Sequence, residues 1–308
     1  VFCDYVVLES EPRYFSPSKD FIPDSVPLLI SKESWLLAEG FSVAALNKLK
    51  LSTEKIPKPL FATKIEAVQP ETYKTKVSII IPSFGRIEFL NRAVESVLKQ
   101  TFKDFEVLVI TTDEVKFSDP RVRVLIPNEK LKVAAARNFG LQEAKGEFIA
   151  YLDDDDFYLP FHLETLLSEN APFVYSLGAR LWEKGPNDLP LHYDLPFSQD
   201  VDWFSLLFGG KFPTLTVIHR RSDERFDENL ECMEDWDYWL RVSKMAGLKH
   251  IPEITCWYSR RPERDGISSR RAELFHWYAY PIWAKHLLNN FPGELVPHFE
   301  ALLNEHSR

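Results

Sequence analysis

Residues 153 to 156 are four consecutive aspartates, placed directly after the apolar run EFIAYL. Repulsion among neighbouring carboxylates costs free energy unless a cation, a proton or water offsets it. Two acids one residue apart on a tight turn, here Asp153 and Asp155, can aim at one divalent ion and leave its other positions to water and phosphate oxygens. A calcium loop of the helix-loop-helix type needs ligands spread over about 12 residues around a central glycine, and that pattern is absent. The plain alternative is a solvated acidic turn capping the next helix. A second acidic group, Glu234, Asp235 and Asp237, stands in MEDWDYW. Acids in the first turn of a helix suit its dipole without any further role.

These groups need elements to hold them. KVSIIIP reads as a strand buried on both faces and ended by Pro82. IEFLNRAVESVLKQT puts Ile87, Leu90, Val94, Val97 and Leu98 on one helical face. FEVLVI, RVRVLI and EFIAYL are further strands, and VAAARNFGLQEAKG is an Ala-rich helix with Gly146 expected as its C-terminal cap. Alternation of this kind predicts an α/β fold with right-handed crossovers and a mostly parallel sheet. Ligands of such sheets sit beyond the carboxyl ends of the strands, so the loops after Ile81, Ile110 and Leu152 should converge on one crevice. Beyond Pro160, PFHLETLL predicts a helix, FVYSLGARLW a strand, and residues 185 to 202 a Pro-rich excursion. MEDWDYWLRVSKMAG is a helix ended by Gly247, followed by an Arg-rich loop over 259 to 271 and an aromatic helical segment.

At 308 residues with 45% apolar side chains, the chain can bury a real core. Its formal net charge of −9 disfavours a nucleic-acid binder that relies on phosphate neutralisation. Cys3, Cys232 and Cys256 match neither a zinc site nor a disulfide framework, which predicts a reducing compartment. No apolar run approaches the roughly 18 to 20 residues of a spanning helix. The opening VFCDYVVLES lacks the basic and apolar regions of a signal peptide, and without an initiator Met it suits a fragment or a processed chain. A cytoplasmic location is expected, or a peripheral one at a membrane.

Three ordered stretches, VSIIIPSFGRIEFLNRAVESVLKQTFKDFEVLVI, AAARNFGLQEAKGEFIAYLDDDDFYLP and FDENLECMEDWDYWLRVSKMAG, resemble the family 2 glycosyltransferases of GT-A fold. The resemblance implies a Rossmann-like core over residues 76–260, with a donor half at 76–157 and an acceptor half at 158–260. Residues 1–75 would be an accessory segment and linker, and 261–308 a lid loop and helical segment. It also implies transfer of a sugar from a nucleoside diphosphate sugar, a UDP-sugar being favoured, to a glycan or glycoconjugate, with Mn2+ or Mg2+ and with inversion.

Carried over by position, Pro82, Phe84 and Arg86 fall in the nucleoside loop, although a Phe there can equally be core. Arg137 and Asn138 fall at the donor-contacting helix start, where the alternative for Arg137 is a salt bridge. Asp153 would serve ribose or metal, Asp155 the metal, and Asp154 the variable position on the donor side. Asp156 would support them or cap a helix. Asp235 would be the general base, with Glu234, Trp236, Arg260 and Arg261 as candidate acceptor or diphosphate contacts. Trp236 and Trp239 also suit a core, and the Arg-rich loop around Gly266 suits either a lid or a solvated surface. His219 reads as structural. One departure stands out: the family's acidic residue after the second strand is replaced by Thr111 and Thr112, with Asp113 late. Either Asp113 substitutes through a shifted loop or the base is held differently. Two rivals share parts of this pattern: a nucleotidyltransferase, and a GT-A scaffold kept as a carbohydrate-binding module.

Overall fold

The computed structural model describes residues 75–290, apart from residues 190, 198–199, 208, 210–211, 245 and 262–274. Residues 1–74 of the expected accessory segment, and Arg264, Gly266, Arg270 and Arg271 of the basic loop, lie outside the described residues. The chain forms two compact units, Val1–Glu66 with Trp283–Arg308, and Ala67–Ile282. The candidate site belongs entirely to the second unit.

Four strands form the first half of its sheet: β1 (Thr75–Pro82), β2 (Phe105–Ile110), β3 (Val122–Leu125) and β4 (Gly146–Tyr151). They pair in parallel in the order β3-β2-β1-β4. β2 is buried along its whole length, as expected of an apolar run with no polar face. Helix α1 (Ile87–Leu98) packs Leu90, Ala93, Val94 and Val97 against the sheet. Ile87, expected on that face, is 45% exposed, because the first turn overhangs the strand ends. The register sets Pro82 beside Ile110 and Ile80 beside Tyr151, so the loops after β1, β2 and β4 open at one edge.

Beyond β4 the pairing becomes mixed. β5 (Phe157–Tyr158), β6 (Phe173–Trp182), β8 (Val217–Arg220) and β9 (Lys249–Arg260) extend the order to β4-β8-β6-β9-β5. β8 is antiparallel to β4 and β6, whereas β6 and β9 are parallel. The mostly parallel arrangement therefore holds for the first four strands, and the second half mixes parallel and antiparallel pairs. The excursion at 185 to 202 contains an additional strand, β7 (His192–Phe197), which among the described residues pairs only with β6. Pro196 hides this strand in the sequence, and a strand with one partner tolerates it.

Helix α2 (Val133–Glu143) ends at Ala144, so Gly146 does not cap it as expected but opens β4. A Cβ on Gly146 would fall 2.5 Å from the backbone nitrogen of Ser78. The glycine is there so that β4 can approach β1. Gly146→Ala should then destabilise the fold by about 1–3 kcal/mol. Its thermal midpoint should fall by roughly 2–12 °C, and an unchanged midpoint would show that the strands part without cost.

Short helices α3 (His162–Ser168) and α4 (Trp203–Leu206) precede α5 (Glu234–Ser243), which buries Trp236, Tyr238, Trp239 and Leu240. Gly247, at φ +70°, closes α5 by donating its N–H to the Ser243 carbonyl. α6 (Phe275–Asn290) matches the expected aromatic helix. No helix of the described residues is long and apolar enough to cross a membrane.

Candidate active site

β4 runs through the buried Leu152, whose N–H reaches the Ile80 carbonyl, and delivers the aspartates at the open edge of the sheet. The turn closes where Asp156 N–H meets the Asp153 carbonyl at 3.0 Å. Its side chains alternate. Asp154 and Asp156 are buried, while Asp153 and Asp155 keep 34% and 16% of their side chains exposed. Burial pushes the Asp154 carboxyl up to about 6, against the pull of Arg86, and holds Asp156 well above the usual carboxylate range.

Each acid has a defined partner. Asp154 accepts from the Ser83 hydroxyl at 2.7 Å and pairs with Arg86. Asp155 is shared by Arg86 and Arg261, both at 2.5 Å. Asp156 accepts the Ser259 N–H at 2.8 Å, so it ties the turn to β9 and caps no helix. Asp153 meets Arg137 at 2.8 Å, and the other prong of that guanidinium meets Glu234 at 2.8 Å.

Arg137 thus joins the aspartate turn to the start of α5. Its side chain is buried, which works against its charge, but Asp153 and Glu234 outweigh that and hold the guanidinium above its usual range. Arg137 thus takes the salt-bridge alternative, as an internal clamp between carboxylates. Asn138 does not face the crevice either: its amide accepts from Phe226 N–H and donates to the Phe226 carbonyl and to Glu228.

Asp235 sits on the first turn of α5, after Met233 in the left-handed conformation at φ 59°. Such a backbone costs a non-glycine residue of order 1 kcal/mol and is met where a site fixes it. One Asp235 oxygen accepts the Trp236 N–H at 2.8 Å, and the other accepts the Thr214 hydroxyl at 3.3 Å. Burial, helped by the Glu234 charge, pushes the Asp235 carboxyl up to about 6. A carboxylate so placed is a stronger base than a solvated one and still ionised at neutral pH.

The loop after β1 brings Phe84, half-exposed, under the Lys130 ammonium. Pro82 is buried at the strand end. The late acid Asp113 reaches back over this loop: its carboxylate accepts the Gly85 N–H at 2.6 Å and the Thr111 hydroxyl at 3.2 Å. Trp236 is buried and donates its indole N–H to the Leu206 carbonyl at 2.5 Å, which makes it core rather than an acceptor contact. The Arg260 guanidinium stacks over Tyr258, away from the Asp155 contact that Arg261 makes. His219 is enclosed by Tyr151, Phe173, Tyr238 and Trp239, and burial lowers it to about 4.

Sequence reasoning passed over Ser83, Arg92, Glu183, Thr214 and Ser259. Only Arg92 left a trace: Arg86, Phe89 and Arg92 are spaced three apart, and Phe89 lies beneath both Arg92 and Arg261. For a divalent ion, Asp153 and Asp155 supply hard oxygen donors on the open side of the turn, and the guanidinium groups on Asp155 show that cationic charge is accommodated there. No group of three or more His, Cys, Asp or Glu among the described residues forms a metal cage. The donor set therefore fits an ion completed by substrate oxygens and water.

A family model described as Glycosyl transferase family 2 matches residues 78–224. The UDP-Glc:alpha-D-GlcNAc-diphosphoundecaprenol beta-1,3-glucosyltransferase WfgD of Escherichia coli is 40% identical over 212 residues, spanning 63% of this chain and 80% of the relative. The GalNAc(5)-diNAcBac-PP-undecaprenol beta-1,3-glucosyltransferase of Campylobacter jejuni is 31% identical over 187 residues, spanning 55% of this chain and 60% of the relative. Against other curated relatives the chain spans between 26% and 90% of their length. Mannosyltransferase PcManGT from Pyrobaculum calidifontis, solved with GDP-Man and Mn2+, shares the fold at a TM-score of 0.51 and 16% identity, over 87% of this chain and 76% of that one.

Proposed function

The chain belongs to glycosyl transferase family 2, and from that premise we propose that it moves a sugar, with inversion, from a UDP-sugar to a hydroxyl of a lipid-linked glycan. The observation that carries the reading is the Arg137 clamp. It places Asp235, the raised carboxyl of α5, beside the aspartate turn rather than on a separate surface. A nucleotidyltransferase would not need the helix-borne Asp235 in the same way.

Asp235 takes the proton of the acceptor hydroxyl as that oxygen bonds to the anomeric carbon from the face opposite the diphosphate. The bond from the anomeric carbon to the diphosphate oxygen breaks at the same time, and UDP leaves with the electron pair. Asp153 and Asp155 would hold Mn2+ or Mg2+, which when bound neutralises charge on the leaving diphosphate. Arg86 and Arg261 stand at the same carboxylate and would add positive charge on that side of the diphosphate. Phe84, Pro82 and Asp113 form the wall for the nucleoside. UDP is favoured because the relative at 40% identity is named for UDP-Glc, and a lipid-linked acceptor because both named relatives act on undecaprenol-linked glycans. The fold neighbour with Mn2+ beside its donor is the precedent for the ion. Such an acceptor would bring the protein to a membrane surface.

Thermal unfolding with UDP, GDP, dTDP and CMP, each with and without manganese, tests this. UDP with manganese at about 100 times its dissociation constant should stabilise the fold by roughly 2.7 kcal/mol, or about 5–10 °C. A rise with another nucleotide alone would reassign the donor. No rise with any of them would leave the scaffold as a binding module.

A further inference from the structure

Behind the aspartate turn lies a second ion pair that the chemistry above does not use. Arg92 of α1 and Glu183, just past β6, meet in a two-pronged pair with both contacts at 2.7 Å, and Glu183 is buried. The same Arg92 Nη2 donates to the Asp155 backbone carbonyl at 2.7 Å and reaches the Ser259 hydroxyl at 3.4 Å, while Nη1 reaches the Pro186 carbonyl at 3.4 Å. Ser259 in turn donates its hydroxyl to Glu183 and its N–H to the Asp156 carboxylate. The rings of Phe157 and Phe89 lie 4.6 and 5.3 Å from the guanidinium carbon.

We propose that Arg92 and Glu183 are positioning residues that hold the backbone of Asp155 so that its carboxylate can ligate a divalent ion. The proposal rests on the reading of Asp155 as a metal ligand. Stability offers little reason for the pair, since well-packed apolar residues in place of a buried ion pair are often neutral or stabilising. What apolar residues cannot supply is a donor to the Asp155 carbonyl. Arg86 and Arg261 cannot do this either, because their charges fall on the Asp155 carboxylate itself and compete with a metal for it. The Arg92 charge is already matched by Glu183, so the pair orients the turn without repelling a cation. Directly and through Ser259 it reaches two successive residues of the turn, the Asp155 carbonyl and the Asp156 carboxylate. Partners of this kind around metal ligands typically change metal affinity by about 10–100-fold when removed.

The test is direct manganese binding in the presence of UDP, read from the electron paramagnetic resonance signal of free Mn2+, on the wild-type protein and two variants. Arg92→Lys keeps the charge opposite Glu183 but loses the fork that serves Glu183 and the Asp155 carbonyl together. The double variant Arg92→Met with Glu183→Leu removes the pair without burying a lone charge. Both should bind manganese about 10–100-fold more weakly, with the double variant unfolding within a few degrees of wild type. Wild-type manganese affinity in a folded Arg92→Lys protein would overturn the proposal, whatever the double variant does. A stable double variant with unchanged affinity would overturn it as well and make the pair merely structural. Wild-type protein that binds no manganese would remove the metal reading first, an outcome visible before any variant is compared.

Discussion

Asp235→Asn should lower kcat by about 10²–10⁴-fold, the usual contribution of a positioned general base, while UDP and manganese binding stay near wild type. The amide keeps the shape of the side chain and its contacts to Trp236 N–H and Thr214, so the loss should fall on chemistry and not on the fold. The wild-type rate should depend on pH with the sign of a group that works deprotonated: it falls roughly tenfold per unit below about pH 6, where burial has placed this carboxyl. Stability carries the opposite sign. A carboxyl whose folded pKa is raised favours the fold below its unfolded value, near pH 4, and that contribution is lost as pH rises through about 6. At pH 8 the Asn variant, with no charge to bury, should therefore unfold at the same temperature as wild type or higher. Turnover close to wild type would sink the base assignment. A large loss of thermal stability at pH 8 would show that the carboxylate serves the fold.

Arg137→Met should act in the other direction, on the fold before the chemistry. It leaves Asp153 and Glu234 facing each other with no cation between them. Breaking a buried pair from one side costs about 3–5 kcal/mol, a fall of roughly 6–20 °C in thermal midpoint. Adding Glu234→Gln should restore part of that stability, because one of the two stranded charges is then gone. If Arg137 instead met the diphosphate of the donor, the single variant would unfold near the wild-type temperature and bind UDP weakly. Calorimetric unfolding and UDP titration on the same two proteins separate these cases.

Much of the donor half was legible before any coordinates. VSIII and FEVLVI are short, mostly β-branched or apolar runs without alternation, the character of a strand buried on both faces. The acids at 153 to 156 and at 234, 235 and 237 were visible because like charges in sequence are like charges in space, and their cost asks for a cause. Within the run, Asp153 and Asp155, one residue apart, are the two that keep some exposure.

Other parts had no local sign. β7 was missed because Pro196 argues against a strand until one knows that the strand has a single partner. Gly146 reads as a helix stop in sequence, yet its cause is the Ser78 backbone, 68 residues away along the chain. Asn138 was placed by its neighbour Arg137, but its amide is spent on Phe226.

What the sequence determined by itself was therefore the alternation of strand and helix and the two acidic groups, since periodicity and repulsion act between residues close along the chain. Which cation meets which acid was decided only by the tertiary structure. Arg92 finds Glu183 across 91 residues and Arg137 finds Glu234 across 97. Coulomb attraction depends on distance in space and on the water removed between the charges, and neither quantity is fixed until the strands have set the loops side by side.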